Sequence, residues 1–194
     1  MNHPQTRALY YYWNGLKQGR LVPAREDIVP RQMKKQLPNI FILERFDSKH
    51  FVFRLAGTAI CERFGREFRA HNFLTLWRGD DRPQMHDHLN EVINSQTPGF
   101  ITCRAETIDR NSVDVEILML PLMDKFGAIT QILGSAFATS STDELGHRKL
   151  VSQHIVHARI LINPGTDLAN PAIPPKPTYL GRPHLRLVVS RNQT

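Results

Sequence analysis

Residues 51–77, FVFRLAGTAICERFGREFRAHNFLTLW, combine a strand, a short helix and an apolar connection in close succession. Apolar side chains alternate from Phe51 to Ala56 with the two-residue period of a half-buried β-strand. Thr58 is a residue type that caps helices and Gly65 suits the left-handed position past a helix end, so a short helix is predicted between them. The remaining bulky apolar residues have no regular period, and we expect this connection to wrap over an apolar surface.

A second strand and a longer helix flank this stretch. The apolar run 39–45 (NIFILER) suits a central strand, and the turn at 46–49 should make a hairpin with the strand that follows. A helix is predicted between Gly79 and Pro98. Its apolar stripe at helical spacing consists of Met85, Leu89, Val92 and Ile93. Three strands separated by polar turns are then predicted at residues 100–108, 113–122 and 128–139.

The N-terminal segment is predicted to form an amphipathic helix followed by an extended connector. The apolar residues at helical spacing are Leu9, Tyr12, Trp13 and Leu16. This stripe suits packing on its own domain as well as contact with a second copy. It is our candidate for a homodimer contact, because aromatic side chains occupy more than one side of the helix.

The C-terminal part has weaker patterns. Residues 150–162 (LVSQHIVHARILI) are compatible with an alternating strand or with a helix, and we favour the strand. Prolines concentrate in residues 163–178, which predicts a stiff linker or a disordered tail, and 185–189 (LRLVV) could add a strand to a sheet edge. We therefore expect an N-terminal helix and connector, a core, a C-terminal extension and a proline-rich basic tail, spanning residues 1–38, 39–140, 141–162 and 163–194.

Composition limits the classes of function. The chain has 194 residues, of which 41% are hydrophobic, and this is enough for one core. Its formal net charge of +7 permits an anionic partner, but Lys and Arg are scattered and no recognised motif accompanies them, so nucleic-acid binding is not favoured. The N-terminus lacks a signal-peptide pattern and no apolar run could span a membrane, so we expect a cytoplasmic protein. Cys61 and Cys103 lie in apolar elements without metal-ligand spacing, which predicts buried thiols.

The order of these elements predicts an α+β fold with a five-stranded antiparallel sheet, helices on one face and a preceding amphipathic helix. A set of short motifs covers residues 9–139 in order: LYYYW (9–13), GRLVPAR (19–25) with Asp27-Ile28, Leu37-Pro38, FRLAGT (53–58), FGRE (64–67), NFLTLW (72–77) and LPL (120–122). In these motifs the chain resembles the PAS domains, and more narrowly a bacterial, mainly alphaproteobacterial PAS family long catalogued as a domain of unknown function.

This resemblance implies a non-enzymatic sensory or regulatory module. PAS domains hold a ligand or nothing between sheet and helices, and they pass a change to a partner or an attached output domain. The sequence has no kinase, cyclase or helix-turn-helix pattern, so we expect the signal to leave through association with a protein partner or a second copy. The resemblance does not identify the ligand.

A PAS-type pocket would lie between the sheet and the connection that covers it. Our candidate lining residues are Arg54, His71, Asn72, Phe73, Trp77, Cys103 and Leu118. A filled core without a ligand is equally compatible with these residues, because packing sheet against helices requires the same side chains.

Histidines are the candidate ligands for haem or a metal. His86 and His88 belong to the predicted longer helix, but both flank its apolar stripe, so we expect a solvent or rim position and do not favour haem. His154 and His157 could share a metal only if their segment were helical, and a surface pair is favoured. We therefore predict no metal site.

Two other classes of function remain alternatives. A small α+β enzyme would use the cavity between sheet and helices, but Asp114 and Glu116 alternate with apolar residues and should face solvent instead of forming an acid–base pair. The sequence also lacks a glycine-rich phosphate loop and a nucleophile elbow. A nucleic-acid-binding protein would use the basic tail and would bind with a strong dependence on salt.

Overall fold

The computed structural model describes residues 1–142 and 145–162, and within them it shows three α-helices and six β-strands. The helices are α1 (Pro4–Gly15), α2 (Thr58–Phe64) and α3 (Asp81–Asn94). The strands are β1 (Ile40–Arg45), β2 (Phe51–Ala56), β3 (Gly99–Thr107), β4 (Ser112–Met123), β5 (Ile129–Ala138) and β6 (Leu150–Ile160). The predicted linker at 163–178 and strand at 185–189 lie outside the described residues.

The six strands form one antiparallel sheet in the order β2-β1-β5-β4-β3-β6. This confirms the α+β fold, the β1–β2 hairpin and the β3–β4–β5 meander. The sheet has six strands where the sequence predicted five, because residues 150–160 pair along the free edge of β3. The strand interpretation of this segment is therefore confirmed.

Each face of the sheet has its own apolar core. The inner face packs against α2, α3 and the connection between them, and its core includes Phe53, Trp77 and Met85. The outer face is covered by α1, whose Leu9 and Trp13 lie in a second core. The alternation of β4 contributes to both cores, with Met119 on the inner face and Leu118 and Leu120 on the outer face.

The start of α2 differs by one residue from the prediction. Gly57 is the N-cap and Thr58 is the first helical residue. The backbone of Gly57 is packed so closely that a Cβ atom there would lie 2.4 Å from the carbonyl oxygens of Leu37 and Pro38. Close backbone approach therefore selects glycine as the cap. The predicted left-handed residue at the other end is Gly65, with a φ of 65°.

Candidate functional site

Aromatic side chains fill most of the predicted pocket between sheet and helices. The ring of Phe73 lies 5.4 Å from that of Phe41 and 5.5 Å from that of Phe53, between centroids. A cavity of about 20 Å³ remains beside them, which is room for about one water molecule. Of the two alternatives that the sequence left open, this geometry favours the filled core.

The structure brings three of the seven predicted pocket residues into the inner core, and these are Phe73, Trp77 and Cys103. The Trp77 side chain is fully buried, and its indole Nε1 has no hydrogen-bond partner in the described part of the chain. The Cys103 thiol donates to Gln153 Oε1 at 3.5 Å, and burial raises its pKa. Both groups belong to packed core.

The polar candidates do not face this core. Arg54 is exposed on the edge strand β2 and pairs with Glu44. His71 is exposed as well, with its Nδ1 atom 3.1 Å from the Arg69 carbonyl oxygen. The Asn72 side chain accepts from the Leu74 N–H at 3.1 Å and so caps the short 3₁₀ helix that follows.

Leu118 lies on the outer face, where it packs in the core that α1 covers. The prediction that it lines a pocket beside Phe73 placed it on the wrong side of the sheet. The second half of β4 is apolar on both faces, so composition alone does not reveal which residues point inward. Pairing with the neighbouring strands sets this phase, because Leu118 is opposite Phe100 of the outer core in β3 and opposite Ser135 in β5.

The two histidines of α3 occupy different environments. His86 lies at the rim as predicted, with its Nε2 atom 2.6 Å from the Ser48 carbonyl oxygen, and this contact raises its pKa. His88 was predicted at the rim but is 6% exposed. A Cβ atom on Gly99 would lie only 2.6 Å from the His88 Nε2 atom. Burial lowers the pKa of His88 to about 4. The absence of a side chain on Gly99 makes room for the imidazole under the sheet.

Glu116 was predicted to face solvent but is 2% exposed. Its carboxylate accepts the backbone N–H groups of Asn2 at 2.5 Å and His3 at 3.1 Å, since the N-terminal segment crosses the outer face at this point. The ring of His3 stacks on Phe137 at 4.4 Å, which anchors the crossing. Asp114 does lie exposed, paired with Arg104 at 3.2 Å.

Beside Glu116 the structure has an open cavity of about 430 Å³, which we call the outer groove. It is lined by the N-terminal segment, by strands β3, β4 and β6, and by Gln84 at the start of α3. Its polar lining residues are Asn2, Gln84, Thr102, Glu116, His157 and Arg159, and its apolar ones are Met1, Phe100, Val156 and Ala158. Sequence reasoning singled out none of these as a pocket. The sequence did contain a signal for this cavity. Phe100 and Thr102 are two residues apart in one strand, as are His157 and Arg159 in another, and this spacing places both members of each pair on one face of the sheet.

The remaining histidine candidates are separated in the structure, since His154 contacts helix α3 and His157 lines the outer groove. His154 lies in β6, and its Nδ1 atom is 3.0 Å from Asp81 at the start of α3. Within residues 1–142 and 145–162, no three His, Cys, Asp or Glu side chains are grouped so that they could share a metal ion. In the same residues, none of the helices has the length and apolar character needed to cross a membrane.

Comparison with known proteins establishes the family. A family model described as PAS domain matches residues 1–137. The chain belongs to the PAS domain family. No curated protein matches this PAS domain.

Similar solved structures include two bacterial proteins. The Rhodobacter sphaeroides LOV protein has 15% sequence identity and a TM-score of 0.44, and the match covers 61% of this chain and 72% of that chain. A PAS domain of a Colwellia psychrerythraea protein has 11% identity and a TM-score of 0.43, with coverage of 56% and 94%.

The inner core of this PAS domain does not fit a haem. Its cavity of about 20 Å³ would have to expand by displacing the rings of Phe41, Phe53 and Phe73. The buried histidine of α3 offers no axial ligand towards that cavity in this arrangement, since His88 Nε2 packs against the backbone of Gly99. In this arrangement the inner cavity has room for about one water molecule, whereas the larger cavity lies beside Glu116.

Proposed function

We propose that this PAS domain is a sensory or regulatory domain that binds a small molecule and passes the change to a protein partner. The observation that carries this proposal is the outer groove, an open cavity of about 430 Å³ in a domain of the PAS family. Ligand sites in proteins typically measure about 300–1,000 Å³ and combine apolar walls with a few polar groups. The outer groove has this size and this mixture. We place the protein in the cytoplasm.

We further propose that the domain acts by binding and not by catalysis. Its buried reactive groups are engaged in structure: Glu116 accepts two backbone N–H groups, and His88 is packed under the sheet. Burial raises the pKa of the Cys103 thiol, whereas a nucleophilic cysteine needs a lowered pKa. These environments favour structural roles for groups that an enzyme would use.

The test is native mass spectrometry of the freshly purified full chain, together with a thermal-shift screen against a small-molecule library. We expect either a co-purified molecule or a compound class that raises Tm by several degrees, because a ligand that binds only the folded state stabilises it. The bound compound should be recovered unchanged after prolonged incubation.

Two results would contradict the proposal. Conversion of the bound compound, lost in a Glu116→Gln or His71→Gln variant, would indicate an enzyme. Binding of nucleic acid with a steep salt dependence, and of no small molecule, would indicate the nucleic-acid-binding alternative.

A further inference from the structure

The apolar side of the outer groove is formed where β6 departs from regular pairing. Thr102 is opposite His157 and Cys103 is opposite Ile155, so Val156 is an extra residue without a partner in β3. Such a β-bulge changes the direction of the side chains around it. The Val156 side chain is 49% exposed and lines the groove beside Ala158. The bulge therefore presents apolar surface to whatever occupies the groove.

Strand β3 lies between Glu116 of β4 and His157 of β6, and it contributes a hydroxyl group without a hydrogen-bond partner among the described residues. Thr102 is paired with Glu116 on one side and His157 on the other, so the three side chains share one row on the outer face. The Thr102 Oγ1 atom is buried from solvent and has no hydrogen-bond partner among the described residues. An unpaired buried hydroxyl costs stability, and a ligand that accepts a hydrogen bond from it, after the Thr102 side chain rotates towards the groove, would remove this cost.

The charged groups around the row favour an anion. The Arg159 guanidinium lies over the Phe100 ring at 5.3 Å from its centroid, and both residues line the groove. His157 lies on the same strand two residues before Arg159. Glu116 is the acidic lining residue, and its carboxylate already accepts the Asn2 and His3 N–H groups. The net charge of +7 on the chain adds a favourable potential for anions.

We propose that the outer groove binds a small organic anion with an apolar body, of the aromatic carboxylate class. Its carboxylate accepts hydrogen bonds from Arg159 and the Thr102 hydroxyl, and its body packs against Val156. This inference rests on the proposed function, because it names the site and the ligand class of the sensory domain.

The experiment uses the ¹⁵N-labelled full chain and two probes of equal body and opposite charge, phenylacetate and phenylethylamine. Titrations followed by amide chemical shifts report both affinity and location. We expect phenylacetate to bind at least about tenfold more tightly than phenylethylamine. Its shifts should centre on the amides of Thr102, Val156 and Arg159.

Matched variants test the residues. Thr102→Val keeps the shape of the side chain and removes a hydroxyl that has no partner in the described protein. It should leave Tm unchanged or raised and weaken phenylacetate about tenfold. Arg159→Gln should weaken it at least as much and keeps the test valid if the first variant misfolds. Arg104→Gln removes the same charge on β3 outside the groove, and affinity should not change.

Several outcomes overturn the inference. Shifts at Phe53 and Ile60 would move the site to the inner face, and preference for phenylethylamine would assign the groove to cations. The absence of phenylacetate binding at millimolar concentration would reject the ligand class. None of these outcomes decides the proposed function. That proposal is tested independently, by whether native mass spectrometry and the library screen find a bound molecule.

Discussion

His88 couples the stability of the inner core to pH. Burial lowers its pKa from 6.5 to about 4, so between these values the unfolded chain binds more protons than the folded one. The contribution of neutral His88 to stability is therefore complete above about pH 6.5 and is lost as the pH falls towards 4. At pH 4 the expected loss is roughly 3 kcal/mol.

We predict that a His88→Leu variant loses this part of the pH dependence. Urea unfolding at about pH 7.5 and pH 5 should show that the parent chain loses roughly 2 kcal/mol more than the variant on acidification. Equal losses in both proteins would mean that His88 is not buried in its neutral form.

His86→Gln is the matched control because the pKa of His86 is raised, by contact with the Ser48 carbonyl and Asp87. Its contribution has the opposite sign. It is present below about pH 6.5 and is lost as the pH rises through the folded-state pKa. Replacement of His86 should therefore weaken the protein more on the acidic side of this range.

At the scale of elements, helix α1 is a structural part of the domain. Leu9 and Trp13 are fully buried, and the Trp13 indole N–H donates to the Pro121 carbonyl at 2.9 Å. These two residues of the predicted dimer stripe therefore pack within their own chain. The other two, Tyr12 and Leu16, are half-buried, and the Tyr12 hydroxyl accepts the Val29 N–H at 2.8 Å. A homodimer through this helix stays a prediction.

We predict that Trp13→Ala lowers the free energy of unfolding by about 3–5 kcal/mol. Tyr11→Ala is the control on the same helix, since the Tyr11 side chain is 58% exposed, and its effect should stay within about 0.5 kcal/mol. Urea unfolding and light scattering measure stability and mass together. Unchanged stability with a fall in mass would instead identify α1 as a dimer contact.

At the scale of the whole molecule, β6 completes the domain although it lies beyond the family match, which ends at residue 137. Asp81 at the start of α3 accepts the Ile155 N–H at 3.2 Å and contacts His154, so the helix layer is tied to the sixth strand. Leu150 is 3% exposed and belongs to the inner core. The strand is therefore integral to the fold.

We predict that Leu150→Ala lowers the free energy of unfolding by about 2–5 kcal/mol. Val151→Thr is the neighbouring control, because Val151 is 45% exposed and threonine keeps the branched shape that strands favour. Its effect should stay below about 1 kcal/mol. Similar small effects of both changes, in urea unfolding, would show that β6 is a dispensable appendage.

The family and the elements could be derived from the sequence because they depend on local patterns. The two-residue period from Phe51 to Phe53 and the helical stripe from Met85 to Ile93 each follow from neighbouring residues. Ordered motifs such as NFLTLW (72–77) predicted the PAS family, which the family match confirms. By itself the sequence determined the elements of the core and their order, whereas residues 150–162 remained compatible with a strand or a helix until their pairing with β3 was seen.

Only the tertiary structure decided which side chains are covered and which are left accessible. Glu116 has the pattern of a solvent-facing residue, but a segment more than 110 residues away covers it. Leu118 points away from the predicted pocket because pairing with the neighbouring strands sets the phase of an apolar strand. The outer groove likewise requires a bulge at Val156 and a distant N-terminus. Burial depends on contacts between residues far apart in the chain, and a local period of two or 3.6 residues contains no information about them.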